Sequence, residues 1–524
     1  MRVYQGLKIL KGFKREASLG DNIFAKTISR RLTHMKSYQK VCTKFFDESR
    51  QLFEDICAHL IAHESYTESE AEAYLQIEGF DLLRHILQDY LSFRSAEEDP
   101  AEKVIGPDLI ERKANRQHIR YLETVFGPVM IKRKAYSAPG VPSLYPLDKA
   151  LNLPLNKYSY SLQAHVCSEA GLRSFDEALR EMEAVVAGHV PKRQAEQMVA
   201  EASRDFESYY AQSKLDMLEE TGSILVTSMD SKGIAMRSED LNAQHYSKRM
   251  AVVSAVYSIA PFVRAPTEII ASLYPGKTKP KEQRERPKPQ HKKVWARLES
   301  SVEDVVRHCF TEARKHDPEG QKRWVSLVDG NLTQQKYLKR VAKKQGIALT
   351  IILDFIHVAG YVWDAAKALG LEKAELWVQD KLLKILQGQS SLVAASIRRM
   401  ATCKNLSGSV RKEADTCANY LLNQKAYMRY DQYLRQGYPI ATGVIEGACR
   451  YLVKDRMDRT GARWRIPGAE AVLKMRALKT NDDFKNYWDY HQSQAFERNY
   501  AAIKVFSKQG RFPLNTDYEM AYAV

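Results

Sequence analysis

The sequence predicts a multidomain α+β protein: an α/β core on a mixed five-stranded sheet, a helical insertion within that core, and a mainly helical N-terminal region. Three observations predict it. A chain of 524 residues is too long for one hydrophobic core. Three β-rich apolar runs follow one another after Gly222, and helical and strand patterns alternate from there. Elsewhere apolar residues recur at three- and four-residue spacing, the period of a helix with one buried face.

Taken in order, residues 1–115 read as the helical N-terminal region, with Phe45, Phe46, Leu52, Phe53, Ile56, Cys57 and Leu60, then Leu82, Leu83, Ile86, Leu87 and Leu91, on helical stripes. Residues 116–220 read as a β-hairpin plus a helix-turn-helix-like region. In IRYLETVFGPVMIKRKAYS two β-rich runs flank Gly127-Pro128, the punctuation of a hairpin. In SFDEALREMEAVVAGHVPKRQAEQMVAEA a Gly-containing turn separates two helical patterns. That segment is either an ordinary antiparallel helix pair or a DNA-reading motif whose second helix opens on Lys192, Arg193 and Gln194.

Residues 221–359 form the first part of the core. ILVTSMD, GIAMRS and RMAVVSAVYSIAPFV read as a meander of three strands, and GKTKPKEQRERPKPQHKK as a solvated loop. VWARLESSVEDVVRHCFTEAR then reads as a helix, WVSLVDGN as a strand ending in Asp-Gly, QQKYLKRVAKKQG as a helix, and IALTIILDFIHV as a buried strand. Residues 360–440 are the helical insertion. Residues 441–480 complete the core with a helix from Gly443 to Asp458, and 481–524 are a C-terminal tail.

A net charge of +16 and a pI of about 9.2 make nucleic acid the leading partner, because a polyanion gains counterion-release free energy on such a surface. No run approaches the roughly 18 apolar residues of a membrane span, and the N-terminus lacks a signal-peptide apolar block. A cytoplasmic, nucleoid-associated protein without membrane attachment is therefore expected. The seven cysteines are scattered and form no CxxC pair, which argues against a disulfide framework or a zinc ribbon and suggests small buried hydrophobes.

Three strands followed by alternating helices and strands are the order of a ribonuclease-H-like fold, in which carboxylates at the ends of the first and fourth strands converge. Asp230 ends the first strand pattern and Asp329 the fourth, and Glu446 heads a helix after the fifth. Phosphodiester cleavage places charge on an attacking and a leaving oxygen. Two Mg²⁺ ions about 3.5–4 Å apart stabilise both, and carboxylates are the hard ligands that hold them. Asp230 is the expected bridge between the ions, with Asp329 and Glu446 each completing one site; Mn²⁺ is an expected substitute. Each acid taken singly is equally readable as a turn former or helix cap.

Asp354 rivals Asp329 as the second acid. It ends the next strand pattern, about 4.8 Å away, and is expected to act as a substitute ligand or to orient one. His357, three residues on, is either its companion or a packed core histidine. Arg450 and Lys454, four and eight residues after Glu446, lie on its helix face, and Arg456, Arg459, Arg463 and Arg465 around Trp464 extend a basic surface suited to DNA phosphates. The same pattern also describes a solvated helix with an aromatic anchor.

TSMDSKG, SLVDGN, LDFIHVAGYVW and above all GVIEGACRYLVKDRMDRTGARW resemble the ISKra-type insertion-sequence transposases. The resemblance runs from PLDKALNLP through the final arginine-rich helix. It implies a DDE transposase with a ribonuclease-H-like catalytic domain, an N-terminal DNA-binding region and Mg²⁺ dependence, its acids falling on Asp230, Asp329 and Glu446. The expected partners are double-stranded DNA, as terminal inverted repeats and as target, and further copies of the chain in a dimer or larger assembly on DNA. A structure-selective nuclease on the same core, or a non-catalytic DNA-binding descendant of a transposase, are the alternatives.

Overall fold

The computed structural model describes residues 45–98, 100–213, 221–241, 247–274, 284–459 and 461–507. These residues form a multidomain α+β molecule with two five-stranded sheets. The chain divides into two units, one made of Met1–Gln163, Met182–His189 and Gln494–Val524, the other of Ala164–Glu181 and Val190–Ser493. The helices after Gln163 thus fall largely with the second unit, not with the hairpin that precedes them.

The first unit opens with helices α1 (Asp47–Ala62) and α2 (Glu68–Ala96), the latter begun by a reciprocal capping box between Thr67 and Glu70. The expected helical region ends sooner than residue 115. Strands β1 (Ala101–Ile105) and β2 (Glu111–Thr124) follow, then β3 (Gly127–Ala138) and β4 (Val141–Leu144). β2 and β3 form the predicted hairpin about Gly127, which sits at φ +105°. The last strand of this sheet, β10 (Lys504–Ser507), pairs with β1 to give the order β10-β1-β2-β3-β4. Four residues of the expected tail therefore finish a sheet; 508–524 lie outside the described residues. Leu91 of α2 packs with Leu122, Val129 and Ile131 over one face of the sheet.

After the short helix α3 (Pro146–Ala150) come α4 (Tyr160–Leu172), α5 (Phe175–Glu183), α6 (Lys192–Ala202) and α7 (Phe206–Gln212). The second unit's sheet is made of β5 (Ile224–Ala235), β6 (Lys248–Ile259), β7 (Gln290–Arg297), β8 (Arg323–Val328) and β9 (Leu349–Leu353), in the order β7-β6-β5-β8-β9. β5, β6 and β7 are mutually antiparallel, whereas β8 and β9 run parallel to β5. β8 is buried along five of its six residues, the continuous apolar run of a strand covered on both faces.

Two sequence expectations change here. ILVTSMD and GIAMRS belong to one strand, because β6 pairs with β5 without interruption from Ile224↔Ile259 to Ala235↔Lys248. The third strand is β7, drawn from the end of the expected loop and the start of the expected helix. Residues 276–283 of that loop lie outside the described residues.

Helices α8 (Pro266–Leu273), α9 (Val302–His316) and α10 (Leu332–Lys344) connect the strands. The strand expected through LDFIHV stops at Leu353. Asp354 accepts a hydrogen bond from the Ile356 backbone and so caps α11 (Phe355–Ala368), which begins the helical insertion. The insertion continues through α12 (Ala374–Leu386), α13 (Ser390–Cys403), α14 (Gly408–Asn423) and α15 (Tyr430–Arg435). The chain then returns to the sheet with α16 (Gly443–Ala448), a π-helical segment (Cys449–Lys454) and α17 (Asp455–Met457), before α18 (Ile466–Thr480) and α19 (Phe484–Phe496). No helix among the described residues is long and apolar enough to cross a membrane.

Candidate active site

β5 occupies the centre of the mixed sheet, with the parallel β8 and then β9 to one side and the antiparallel β6 to the other. The register pairs Ser228 with Leu327, and Val328 with Leu353. Asp230 and Asp329 stand two residues beyond the first pair, and Asp329 and Asp354 one residue beyond the second. Three acids therefore lie at the same level on adjacent strands, whose neighbours are about 4.8 Å apart. Asp230 does not end its strand: it lies within β5, at the level where β8 stops. Beneath this level the Thr227 and Ser326 hydroxyls join β5 to β8, and Gln334 of α10 donates to the Met229 carbonyl at 3.0 Å.

Glu446 reaches this edge because α16 and the π segment after it pack on β5 and β6. The Cys449 thiol donates to Asp230 Oδ2 at 3.4 Å. Burial pushes that thiol's pKa up, and the negative charges of Asp230 and Glu446 push it further, so it remains a protonated donor. In the sequence Cys449 reads only as a small buried hydrophobe, because its partner is 219 residues away.

Asp354 is 2 % exposed and its oxygens are occupied. Oδ1 accepts from the Ile356 backbone at 3.0 Å, and Oδ2 accepts the Thr442 hydroxyl at 2.7 Å. The same Thr442 oxygen lies 3.4 Å from Glu446 Oε1, which leaves Asp354 and Glu446 no more than about 6 Å apart through one hydroxyl. Thr442, which no sequence motif singled out, is thus the joint between the strand-end acids and the helix that carries Glu446.

Asp329 is half-buried and Glu446 exposed. Asp329 Oδ1 accepts from the Asn331 backbone at 2.9 Å, while its carbonyl accepts the Tyr420 hydroxyl at 2.9 Å. Gly330 makes this approach possible: it sits at φ +106°, and a Cβ there would meet the Tyr420 hydroxyl at 2.9 Å. Burial, helped by the nearby Tyr361, Asp329 and Asp354, raises the Tyr420 pKa and keeps that donor protonated. His357 is not a packed core residue. It is exposed on the first turn of α11, beside Tyr361 and Tyr420.

Among the described residues no three His, Cys, Asp or Glu side chains are grouped as ligands of one ion. The donors instead suit sites in which each ion takes few carboxylates and completes its shell with water and phosphate oxygens, the habit of Mg²⁺. Hard oxygens, a half-buried Asp329 and an exposed Glu446 fit that chemistry.

The basic residues divide. Arg193, Arg450, Lys454 and Arg463 are exposed, Arg450 with Asp455 at 3.8 Å. The π segment widens the turn after Glu446, so the four-residue spacing no longer stacks Glu446, Arg450 and Lys454 in one line. Lys192 and Arg459 pair with Asp176 and Glu177 of α5. Arg456 departs from expectation: it is 2 % exposed, donates to the Ala170 carbonyl at 3.1 Å and lies over the Trp464 ring at 4.9 Å. It is a structural cation, its pKa lowered by burial to about 10. Trp464 is an anchor, its indole donating to Met457 O and its backbone pairing in parallel with Met236 just past the end of β5. α6 buries Ala195, Met198, Val199 and Ala202 and packs on α18, which leaves Lys192 and Arg193 on its outer side.

No protein-family model matches the chain, and no curated protein matches it.

Proposed function

We propose that the chain is a DDE transposase on a ribonuclease-H-like core, with Asp230, Asp329 and Glu446 as its catalytic acids. One observation carries the reading: an antiparallel β5-β6-β7 meander extended by parallel β8 and β9, with Asp230 and Asp329 level on adjacent strands and Glu446 on a helix packed against Asp230's strand. The motif resemblance supports it independently.

The three acids would hold two Mg²⁺ ions, or Mn²⁺ in their place, which supply charge stabilisation at the attacking and leaving oxygens of an in-line displacement. The chain's own residues fix the geometry. Asp354 accepts from and orients the Thr442 hydroxyl, which lies 3.4 Å from Glu446, and the Cys449 thiol restrains Asp230. Asp354 is given this supporting role and not that of a ligand because it is buried, whereas Asp230 and Asp329 are half-buried and Glu446 is exposed. Arg450, Lys454, Arg463 and Arg193 would contact phosphates, with Lys192 and Arg459 paired to α5; the buried Arg456 would not. Water attacks in the first step and a released DNA 3′-hydroxyl in the second, so one site serves both hydrolysis and strand transfer. Joining two ends of a mobile element calls for two or more copies of the chain on DNA, and the working location is the nucleoid.

DNA flanking the gene, incubated with the protein and Mg²⁺, is expected to be nicked at inverted repeats and joined to a second DNA. Asp230→Asn and Glu446→Gln should each lower cleavage on the order of 10³-fold, the rate equivalent of about 4 kcal/mol, while DNA binding persists. Cleavage retained in either variant refutes the assignment. Cleavage without joining indicates a nuclease instead.

A further inference from the structure

Beside Asp329 lies an open cleft of about 430 Å³ bounded by Asp329, Gly330 and Asn331 on one side and by His357, Tyr361 and Tyr420 on the other. The Tyr361 and Tyr420 rings are stacked, with centroids 3.9 Å apart and planes 17° from parallel. His357 stands edge-on to Tyr361 at 5.7 Å. This aromatic wall is held in place. The Tyr420 hydroxyl donates to the Asp329 carbonyl, and buried Gln424 donates to the Gly330 carbonyl at 3.1 Å while accepting from Gln335 at 2.8 Å. The residue that presents a proposed catalytic carboxylate therefore also fixes the stacked tyrosines.

We propose that this cleft takes one unpaired nucleobase of the DNA strand next to the scissile phosphate, stacked on the Tyr361–Tyr420 wall. The inference rests on the transposase reading and names the part of the substrate bound beside Asp329. A stacked aromatic pair offers a π-face that every base matches, and stacking of this kind tolerates any sequence. A base inside a duplex has both faces covered, so the occupant is a nucleotide unstacked from its neighbours. The exposed amides of Asn331 and Asn423 and the His357 ring at the rim suit the polar edge of a base. The volume admits a single nucleotide and excludes a duplex.

The test uses the full chain as Asp230→Asn, which binds without cutting, and a short oligothymidylate carrying one 5-iodouracil. Photocrosslinks mapped by mass spectrometry are expected at His357, Tyr361 or Tyr420. Tyr361→Ala should weaken binding of this single strand about 5- to 150-fold, with Tyr361→Phe restoring it and duplex affinity unchanged in both. Crosslinks confined to other segments, or a Tyr361→Ala protein that binds the oligonucleotide like its parent, overturn the proposal. Absence of single-strand binding overturns it too: if the unsubstituted chain still cleaves duplex DNA with Mg²⁺, this inference alone fails, and if it neither binds nor cleaves duplex, the transposase reading falls with it.

Discussion

Cys449 donates to Asp230 on β5, and Thr442 donates to Asp354 and stands 3.4 Å from Glu446 on α16. Because its pKa is raised by burial and by Asp230, the Cys449 thiol is a poor nucleophile. Iodoacetamide at neutral pH is therefore expected to label the exposed Cys403 well before Cys449, as read by peptide mass spectrometry; equal rates would contradict the buried, hydrogen-bonded thiol. Asp329 and Asp354 separate by the same logic. Asp354→Asn disturbs a helix cap and the Thr442 contact and should cost about 1.5–3 kcal/mol in chemical unfolding, whereas Asp329→Asn should leave stability nearly unchanged and remove cleavage. Neither Thr442 nor Cys449 was legible in the sequence, because hydrogen bonds across 88 and 219 positions leave no local pattern.

At the scale of elements, the alternation of strands and helices was readable, and the places where it misled have physical causes. Ser231, Lys232 and Gly233 look like a turn, yet continuous pairing with β6 carries β5 through them. β7 was hidden by His291, Lys292 and Lys293, charges that an edge strand tolerates because one side of it faces no neighbouring strand. Asp354 reads as a strand residue because Phe355 and Ile356 have strand propensity, but it caps α11. Gly330 has the look of an ordinary turn glycine, but its tight approach to Tyr420 depends on the distant α14. In the first unit, Asp148 lies between Arg120 and Arg133, all three nearly buried. Asp148→Ala would strand two cations beside β2 and β3 and should destabilise that unit by about 3–5 kcal/mol in denaturant unfolding. A change under 1 kcal/mol, the size of a surface pair, would contradict that placement.

For the molecule as a whole, pH acts through two histidines of the second unit, the half-buried His308 and the buried His316, of which His316 is shifted further. His316 is 1 % exposed, and burial, aided by Lys322 and other nearby cations, lowers its pKa to about 3. The folded state thus prefers the neutral ring. Its stabilising contribution is complete above the ordinary histidine value of about 6.5 and is lost as pH falls from there toward about 3. Unfolding free energy of the second unit should drop by several kcal/mol across that window, and His316→Gln should flatten the drop. An unchanged slope in the variant would place the acid sensitivity elsewhere.

The central claim, that Asp230, Asp329 and Glu446 share a pair of ions, is tested most directly by replacing Mg²⁺ with Fe²⁺ and adding ascorbate and peroxide, which cuts the backbone where the iron sits. Cuts clustering at residues 229–231, 329–331 and 445–447, and suppressed by competing Mg²⁺, are predicted. Cuts elsewhere, or cuts that Mg²⁺ does not suppress, would contradict it.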